Sequence, residues 1–386
     1  MKYKPQDPLG PLSNELKNIL NNQRKKNKFS PKQYLKLKLF LIKKYFKKHE
    51  IKVGVVALSG GIDSSLVLAI LKKCQEETGY PEKIIPVMLP VKDSGVSNQD
   101  QAVLKGKKVC KFLNLKDYLI DLTIPFSSLR DKIEKEFKII PSDWAKGQLT
   151  PYLRTPTLYY ITTLLLEKYG RTVLCGTTNR SEGAYLGYIG KASDAMVDLQ
   201  IISDLYKSEV LTLSRYLNIP EEIIDQVPNG DMFDNRSDEE VFGASYDFVE
   251  LFLRDKKIKC VKNLKESKKQ WENGCKNLEL LHSYNKHKYI GHSAAIHFDV
   301  YDTYIEDGWI NNSTLKLREN EVDYSKIVNL KNIESSLNIN NEKKYIKTEK
   351  IEKLVNKESI EKLTKELKNF SWTQAGINGY KNDKEN

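Results

Sequence analysis

Apolar residues along the chain fall into short unbroken runs separated by amphipathic stretches, and this alternation predicts a layered α/β protein. The run Val53-Gly54-Val55-Val56-Ala57-Leu58 is strand-sized and has no polar interruption, as expected of a strand covered on both faces. Upstream, Pro31 opens a helix extending to about His49, with Leu37, Phe40, Leu41 and Tyr45 recurring at helical spacing between lysines. Helical periodicity resumes at Ser64–Lys73. Further strands are predicted at Ile84–Leu89, near Tyr118–Leu122 and at Thr172–Gly176, the last preceded by a helix at about Thr157–Lys168. Residues 200–255 read as helical, with a loop at Pro228–Asp238. Strands alternating with helices define a doubly wound parallel sheet with right-handed crossovers, and such sheets bind ligands at the carboxyl ends of their strands.

The ends of the chain differ from this middle. Residues 1–35 are polar and basic and read as an arm or short helix; residues 36–310 form the expected catalytic domain; residues 311–386, rich in Lys, Asn and Glu, form a C-terminal extension that is helical or partly disordered. No internal repeat is present.

Composition narrows the function classes. Five cysteines are scattered over 386 residues with no CxxC pair, which argues against a disulfide framework, a structural zinc or a thiol-transfer site and suits a reducing compartment. The segment MKYKPQDPLG carries no apolar run behind its charges, and no stretch approaches the roughly 20 apolar residues of a membrane span. A cytoplasmic protein without a membrane partner is therefore expected. The net charge of +12 invites a nucleic-acid reading, but the excess is almost all lysine mixed with glutamate and asparagine, which reads as compositional bias and suits polyphosphate substrates; a nucleic-acid partner is not expected. His282, His287, His292 and His297 recur every five residues, a step that spreads around a helix and alternates faces on a strand, so it does not converge on a metal.

The richest chemistry begins where the first strand ends. In Ser59-Gly60-Gly61-Ile62-Asp63-Ser64-Ser65, two glycines let the backbone turn with its N–H groups inward, and a helix starts directly after. Convergent amides and a helix N-terminus make an anion site, to which the serines add hydroxyls. Asp63 is out of place in an anion cradle unless a divalent cation stands between it and phosphate, which makes it a candidate Mg²⁺ ligand. The loop lacks the lysine of GxxxxGK[ST] and so differs from the phosphate loops of kinases and GTPases. A second motif, Gly176-Thr177-Thr178-Asn179-Arg180-Ser181-Glu182, follows the strand at 172–176. It delivers Glu182 to the same edge as Asp63, where two carboxylates can share one Mg²⁺ and neutralise a departing pyrophosphate. Lys207 is a further candidate for stabilising phosphate charge.

SGGxDS resembles the loop of enzymes that split ATP between its α and β phosphates, the PP-loop or adenine-nucleotide alpha-hydrolase-like type. With VMLP at 87–90, GQLTPYLR at 147–154, GTTNRSE at 176–182, DLYKSEV at 204–210, SDEEVFGASY at 237–246 and HK at 287–288, the chain resembles the ammonia-utilising NAD synthetases over about residues 36–300. The resemblance implies a homodimeric, AMP-forming carbon–nitrogen ligase. ATP adenylates the nicotinate carboxylate of nicotinic acid adenine dinucleotide (deamido-NAD), and ammonia displaces AMP to give NAD.

The resemblance also implies residue roles. Ser59, Gly60, Gly61, Asp63, Ser64 and Ser65 hold the ATP phosphates, Thr177 and Lys207 contact ATP, and Asp63 and Glu182 bind Mg²⁺. Lys191, Asp198, His287 and Lys288 contact deamido-NAD. Asn229 occupies the place of a Thr or Ser that meets ATP, and Tyr152 the place of an arginine on the acceptor side. Ala195 and Met196 replace a usual Gly-Gly pair, Ile201 a common proline, and Tyr289 an arginine. The region before Ser59 is too short for a fused amidase, so free ammonia or a separate ammonia-supplying partner is expected. Two other readings share the loop: the same AMP-forming chemistry on a different carboxylate, and a tRNA-modifying enzyme.

Overall fold

The computed structural model describes residues 9–92, 99–190, 192–229, 236–254, 264 and 266–289, together with 370–372 and 380–382; side chains 144, 284, 286–289, 370–372 and 380–382 are not described. The chain divides into two compact units, residues 1–292 and 293–386.

Five parallel strands form the sheet of the first unit: β1 (Val53–Ala57), β2 (Lys83–Met88), β3 (Tyr118–Leu119), β4 (Thr172–Gly176) and β5 (Leu199–Gln200), in the order β3-β2-β1-β4-β5. Every pairing is parallel, with Val55 opposite Ile85 on one side and Leu174 on the other. Strand order reverses between β1 and β4, and a crevice opens there at the carboxyl edge. The two glycine-containing motifs leave the sheet at this point.

Alternate residues of each strand feed two cores. Val56, Ile84, Met88, Val173 and Cys175 face α2 (Pro31–Lys48), α3 (Ile62–Thr78), α4 (Gln99–Phe112) and α8 (Lys207–Tyr216). Val53, Val55, Ile85, Val87 and Leu174 face α5 (Thr123–Phe137) and α6 (Asp143–Tyr169). This period of two, buried on both faces, is why the strand sequences contain no polar alternation. A third cluster joins α1 (Asn14–Asn27), α10 (Asp238–Phe242), α11 (Tyr246–Arg254) and α12 (Lys268–Tyr289) to the chain after α7 (Arg180–Gly183), with Leu16, Leu20, Leu186, Phe242 and Phe248 at its centre. The remaining helix, α9 (Glu221–Ile224), follows α8. In the second unit, β6 (Phe370–Trp372) and β7 (Tyr380–Asn382) pair antiparallel; the rest of the C-terminal extension lies outside the described residues.

Several elements differ from expectation. Leu37, Phe40, Leu41 and Tyr45 are exposed, and α2 buries Leu35, Leu39, Ile42 and Phe46 instead. Both stripes are apolar and helically spaced, so periodicity cannot tell which one meets the sheet. The helix expected from Thr157 begins at Asp143 and runs through Pro151 and Pro156, which supply no N–H to its ladder. β3 ends at Leu119, although Ile120 and Leu122 still donate to the carbonyls of Met88 and Pro90. β5, two residues long, was not foreseen. The basic N-terminal segment contains α1, whose Leu16 and Leu20 are fully buried.

Candidate active site

The loop after β1 is drawn tight by its own side chains. Ser59 Oγ accepts the Gly61 amide at 3.2 Å and lies 3.1 Å from Ser64 Oγ, while the Ser64 and Ser65 hydroxyls donate to Gly61 O at 3.1 and 2.7 Å. Gly60 has φ +82°, and a Cβ there would lie 2.5 Å from the Ala102 carbonyl oxygen of α4. Only glycine satisfies both the left-handed turn and this close approach. Gly61 caps α3, placing Asp63 in its first turn.

Across the crevice, β4 delivers Asn179, which is fully buried. Asn179 Oδ1 caps α7 by accepting the Glu182 amide at 3.2 Å, and its Nδ2 donates to Asp63 Oδ1 at 3.0 Å and Glu182 Oε1 at 2.6 Å. One side chain thus ends the strand and ties the two carboxylates together. Gly176 is packed closely at this exit: a Cβ there would fall 2.5 Å from Gln200 Oε1 and 2.7 Å from Val197 Cγ2, so both side chains would have to shift.

Lys207 closes the cluster. It is the first residue of α8, its backbone amide donates to Ser181 Oγ, and its ammonium lies 2.6 Å from Asp63 Oδ2 and 3.3 Å from Glu182 Oε1. Tyr246 supports it from α11: its hydroxyl lies 2.8 Å from both Glu182 Oε1 and Asp238 Oδ2, and its ring lies under the ammonium at 5.0 Å. Burial alone would depress the Lys207 ammonium, but Asp63 and Glu182 overcome it and hold the group above the ordinary lysine range. Burial pushes Glu182 up to about 7 despite the attraction of Lys207, and nearby Asp63 and Asp238 push the same way. Burial likewise raises Asp238.

Three carboxylates therefore surround one ammonium. The surplus negative charge and all-oxygen donors of Asp63 and Glu182, both partly open to solvent, suit a hard divalent cation that completes its shell with phosphate and water. Among the described residues no three His, Cys, Asp or Glu side chains form a metal-binding group by themselves.

The remaining sequence candidates lie elsewhere along the chain, some of them outside the described residues. Thr177 follows β4 directly and is half-buried, and Asn229 is exposed beyond α9. Tyr152 is half-buried on α6, two residues before Arg154, whose guanidinium donates to Leu89 O at 2.9 Å and Gln99 Oε1 at 3.0 Å. Asp198 Oδ2 accepts the Leu174 amide at 2.7 Å, and the carboxylate also takes a hydrogen bond from Tyr159 of α6. Lys191 lies outside the described residues, and His287 and Lys288 fall in the last turn of α12, where side chains are not described. His282 stacks on Tyr185, with Nδ1 at the Tyr185 carbonyl. Sequence reasoning gave no role to Asp238 or Tyr246, and none to Asn179 beyond its place in the second motif. The signal available was the motif SDEEVFGASY itself, whose Ser237–Glu240 capping box starts α10.

An all-parallel sheet with an SGGxDS loop at its reversal point defines an α/β nucleotide-binding fold of the PP-loop type. The protein-family model described as NAD synthase matches residues 34–290, and the chain belongs to that family. It is similar to an NH3-dependent NAD+ synthetase of Mycoplasmopsis pulmonis, 35% identical over 204 residues that cover 53% of this chain and 72% of the relative. One from Carboxydothermus hydrogenoformans is 31% identical over 199 residues, covering 52% and 75%. Among solved structures, the NMN synthetase from Francisella tularensis superposes with a TM-score of 0.55 at 25% identity, covering 67% of this chain and 96% of that one.

Proposed function

We propose that this protein is an AMP-forming ligase that amidates deamido-NAD with ammonia, using ATP. The nicotinate carboxylate attacks the α-phosphorus of ATP and pyrophosphate leaves; ammonia then attacks the acyl carbon, a proton is lost, and AMP departs to give NAD. The observation that carries this reading is the convergence of Lys207 with Asp63 and Glu182 at the mouth of the β1/β4 crevice, beside the 59–65 loop.

The chain's part is positioning and charge neutralisation, with no side-chain nucleophile. On binding, the 59–65 loop exchanges its internal hydrogen bonds for contacts in which Ser59, Gly60, Gly61, Ser64 and Ser65 receive the β and γ phosphates, and Thr177 and Asn229 meet the rest of ATP. Lys207 stabilises charge on the phosphates. Asp63 and Glu182 are the residues that would hold Mg²⁺, which when bound neutralises the leaving pyrophosphate. Tyr152, Lys191, Asp198, His287 and Lys288 form the acceptor side.

Two surfaces complete the reading. Ile133 and Phe137 of α5, one turn apart, and Tyr160 and Leu164 of α6, likewise one turn apart, are exposed apolar pairs that a second copy of the chain would cover in a homodimer. Ammonia comes from solution or from a separate amidase. No helix among the described residues is long and apolar enough to cross a membrane; a cytoplasmic reaction is part of the proposal.

The test is an assay of purified protein with ATP, Mg²⁺, ammonium and deamido-NAD. Formation of NAD, AMP and pyrophosphate in equal amounts is expected, and none from glutamine alone. Because the similar Francisella tularensis protein is an NMN synthetase, nicotinic acid mononucleotide is the informative comparator. Turnover of that acid in preference to deamido-NAD, or no AMP with either, would overturn the reading.

A further inference from the structure

The first turn of α8 carries Lys207 into the cluster, and the same turn is gripped from behind. Glu209 accepts the Tyr206 amide at 3.0 Å through Oε2 and Arg254 of α11 at 2.9 Å through Oε1. The Ser208 hydroxyl donates to Glu250 Oε2 at 2.6 Å, and Arg254 Nε donates to Glu250 Oε1 at 2.8 Å. Arg254 also lies over the Tyr206 ring, 4.1 Å from its centroid. Glu250 is 1% exposed, so its charge must be matched on the spot.

A second guanidinium supplies the rest of the match, and it comes from far away in sequence. Arg24 of α1 reaches Glu250 through both Nε, at 3.1 Å, and Nη2, at 2.6 Å, and holds Asp247 at 2.6 Å as well. This two-pronged grip is one a lysine cannot reproduce. α1 is fixed around Arg24 by Leu16 and Leu20 in the third core, by Ser13 at Ser267, and by Glu15 at the amides of Glu266 and Ser267. It lies wholly before residue 34, where the match to the NAD synthase family begins.

We infer that Arg24 and Glu250 are positioning residues for Lys207: α1 braces the start of α8 through Arg24–Glu250–Ser208 and so sets where the ammonium stands between Asp63 and Glu182. The helix lying before the family match is thereby part of the ATP side of the site. The braced atoms are neighbours in the chain. Ser208 follows Lys207 directly, and a displacement of about 1 Å at a charge-stabilising group is enough to cost roughly 100-fold in rate.

This inference rests on the assignment of Lys207 to ATP, and a double-mutant cycle separates the two. The full chain is assayed for AMP formation as wild type, Arg24→Ala, Arg24→Lys, Ser208→Ala and Lys207→Ala, and as Arg24→Ala and Ser208→Ala each combined with Lys207→Ala. Arg24→Ala and Ser208→Ala are each expected to lower kcat/KM for ATP by ~10-fold with the KM for ammonia unchanged, and Arg24→Lys to restore only part of the loss. In the Lys207→Ala background neither is expected to cost more. An equal loss in both backgrounds would mean the brace acts on folding or elsewhere, and the inference falls. An unchanged Arg24→Ala enzyme overturns it as well, with melting temperatures read alongside to separate unfolding from misplacement. If Lys207→Ala itself leaves ATP turnover intact, the assignment of Lys207 fails instead.

Discussion

On the ATP side of the crevice, Asp63, Asn179, Glu182, Lys207 and Tyr246 hold one another across α3, α7, α8 and α11 at hydrogen-bond distances. The acceptor-side residues answer to different parts of the fold: Asp198 to β4 and α6, Tyr152 to α6 beside Arg154, His287 and Lys288 to the end of α12. The ATP side is one network, so a change in any member reaches the others. Residues on the acceptor side can vary singly, which is where Tyr152, Ala195, Met196 and Ile201 depart from the family pattern. In the proposed reaction, activation of a carboxylate is set by a closed cluster, and the choice of carboxylate by separate contacts.

The contrast can be broken most directly at Lys207. Lys207→Ala leaves Asp63 and Glu182 without their ammonium, and AMP formation is expected to fall by ~10³-fold, measured in single turnover. Asp63→Asn is expected to cost about 10²-fold and to raise the Mg²⁺ concentration needed for half-maximal rate; an unchanged Mg²⁺ dependence would remove Asp63 from the proposed ligands. Gly60→Ala meets both the positive φ and the Ala102 carbonyl, and denaturant titration should show a loss of ~1–3 kcal/mol together with weaker ATP binding. Asp198→Asn sharpens the other half. It should raise the KM for deamido-NAD by ~10-fold and leave the KM for ATP alone, the split that independent contacts require.

The smallest effect concerns pH. Burial alone would raise the Glu250 carboxyl, but the bonds from Arg24 and Ser208 and the charges of Arg24 and Arg254 hold it below its ordinary value. A folded value below the unfolded one of about 4.3 stabilises the protein above that pH, and the contribution is lost as pH falls through the folded value. The melting temperature of Glu250→Gln, lower at neutral pH, should therefore decline less steeply than wild type between about pH 5 and 3.

Burial explains what could be read from sequence. β1, β2 and β4 are covered on both faces and appear as unbroken apolar runs, so their places and the loops that leave them were legible. The edge strands β3 and β5 have two residues each and little to bury, and β5 left no signal. The exposed stripe of α2 was indistinguishable from the buried one because both are apolar. In the site, Asp63, Glu182 and Lys207 were legible because each has its own local motif. The contacts that hold them were not: Tyr246 meets Glu182 across 64 positions and Arg24 meets Glu250 across 226, separations at which single-sequence periodicity carries no information.

The place of β1 in the sheet has one further consequence. It is hydrogen-bonded on both sides, by β2 and by β4, so its amides open only when the sheet itself comes apart. The phosphate loop is the next turn of chain after that strand. In the proposed reaction nucleotide therefore docks just beyond a doubly bonded strand, and the motion that admits ATP and releases pyrophosphate falls to the opposite wall, where β5 adds only a two-residue pairing to β4.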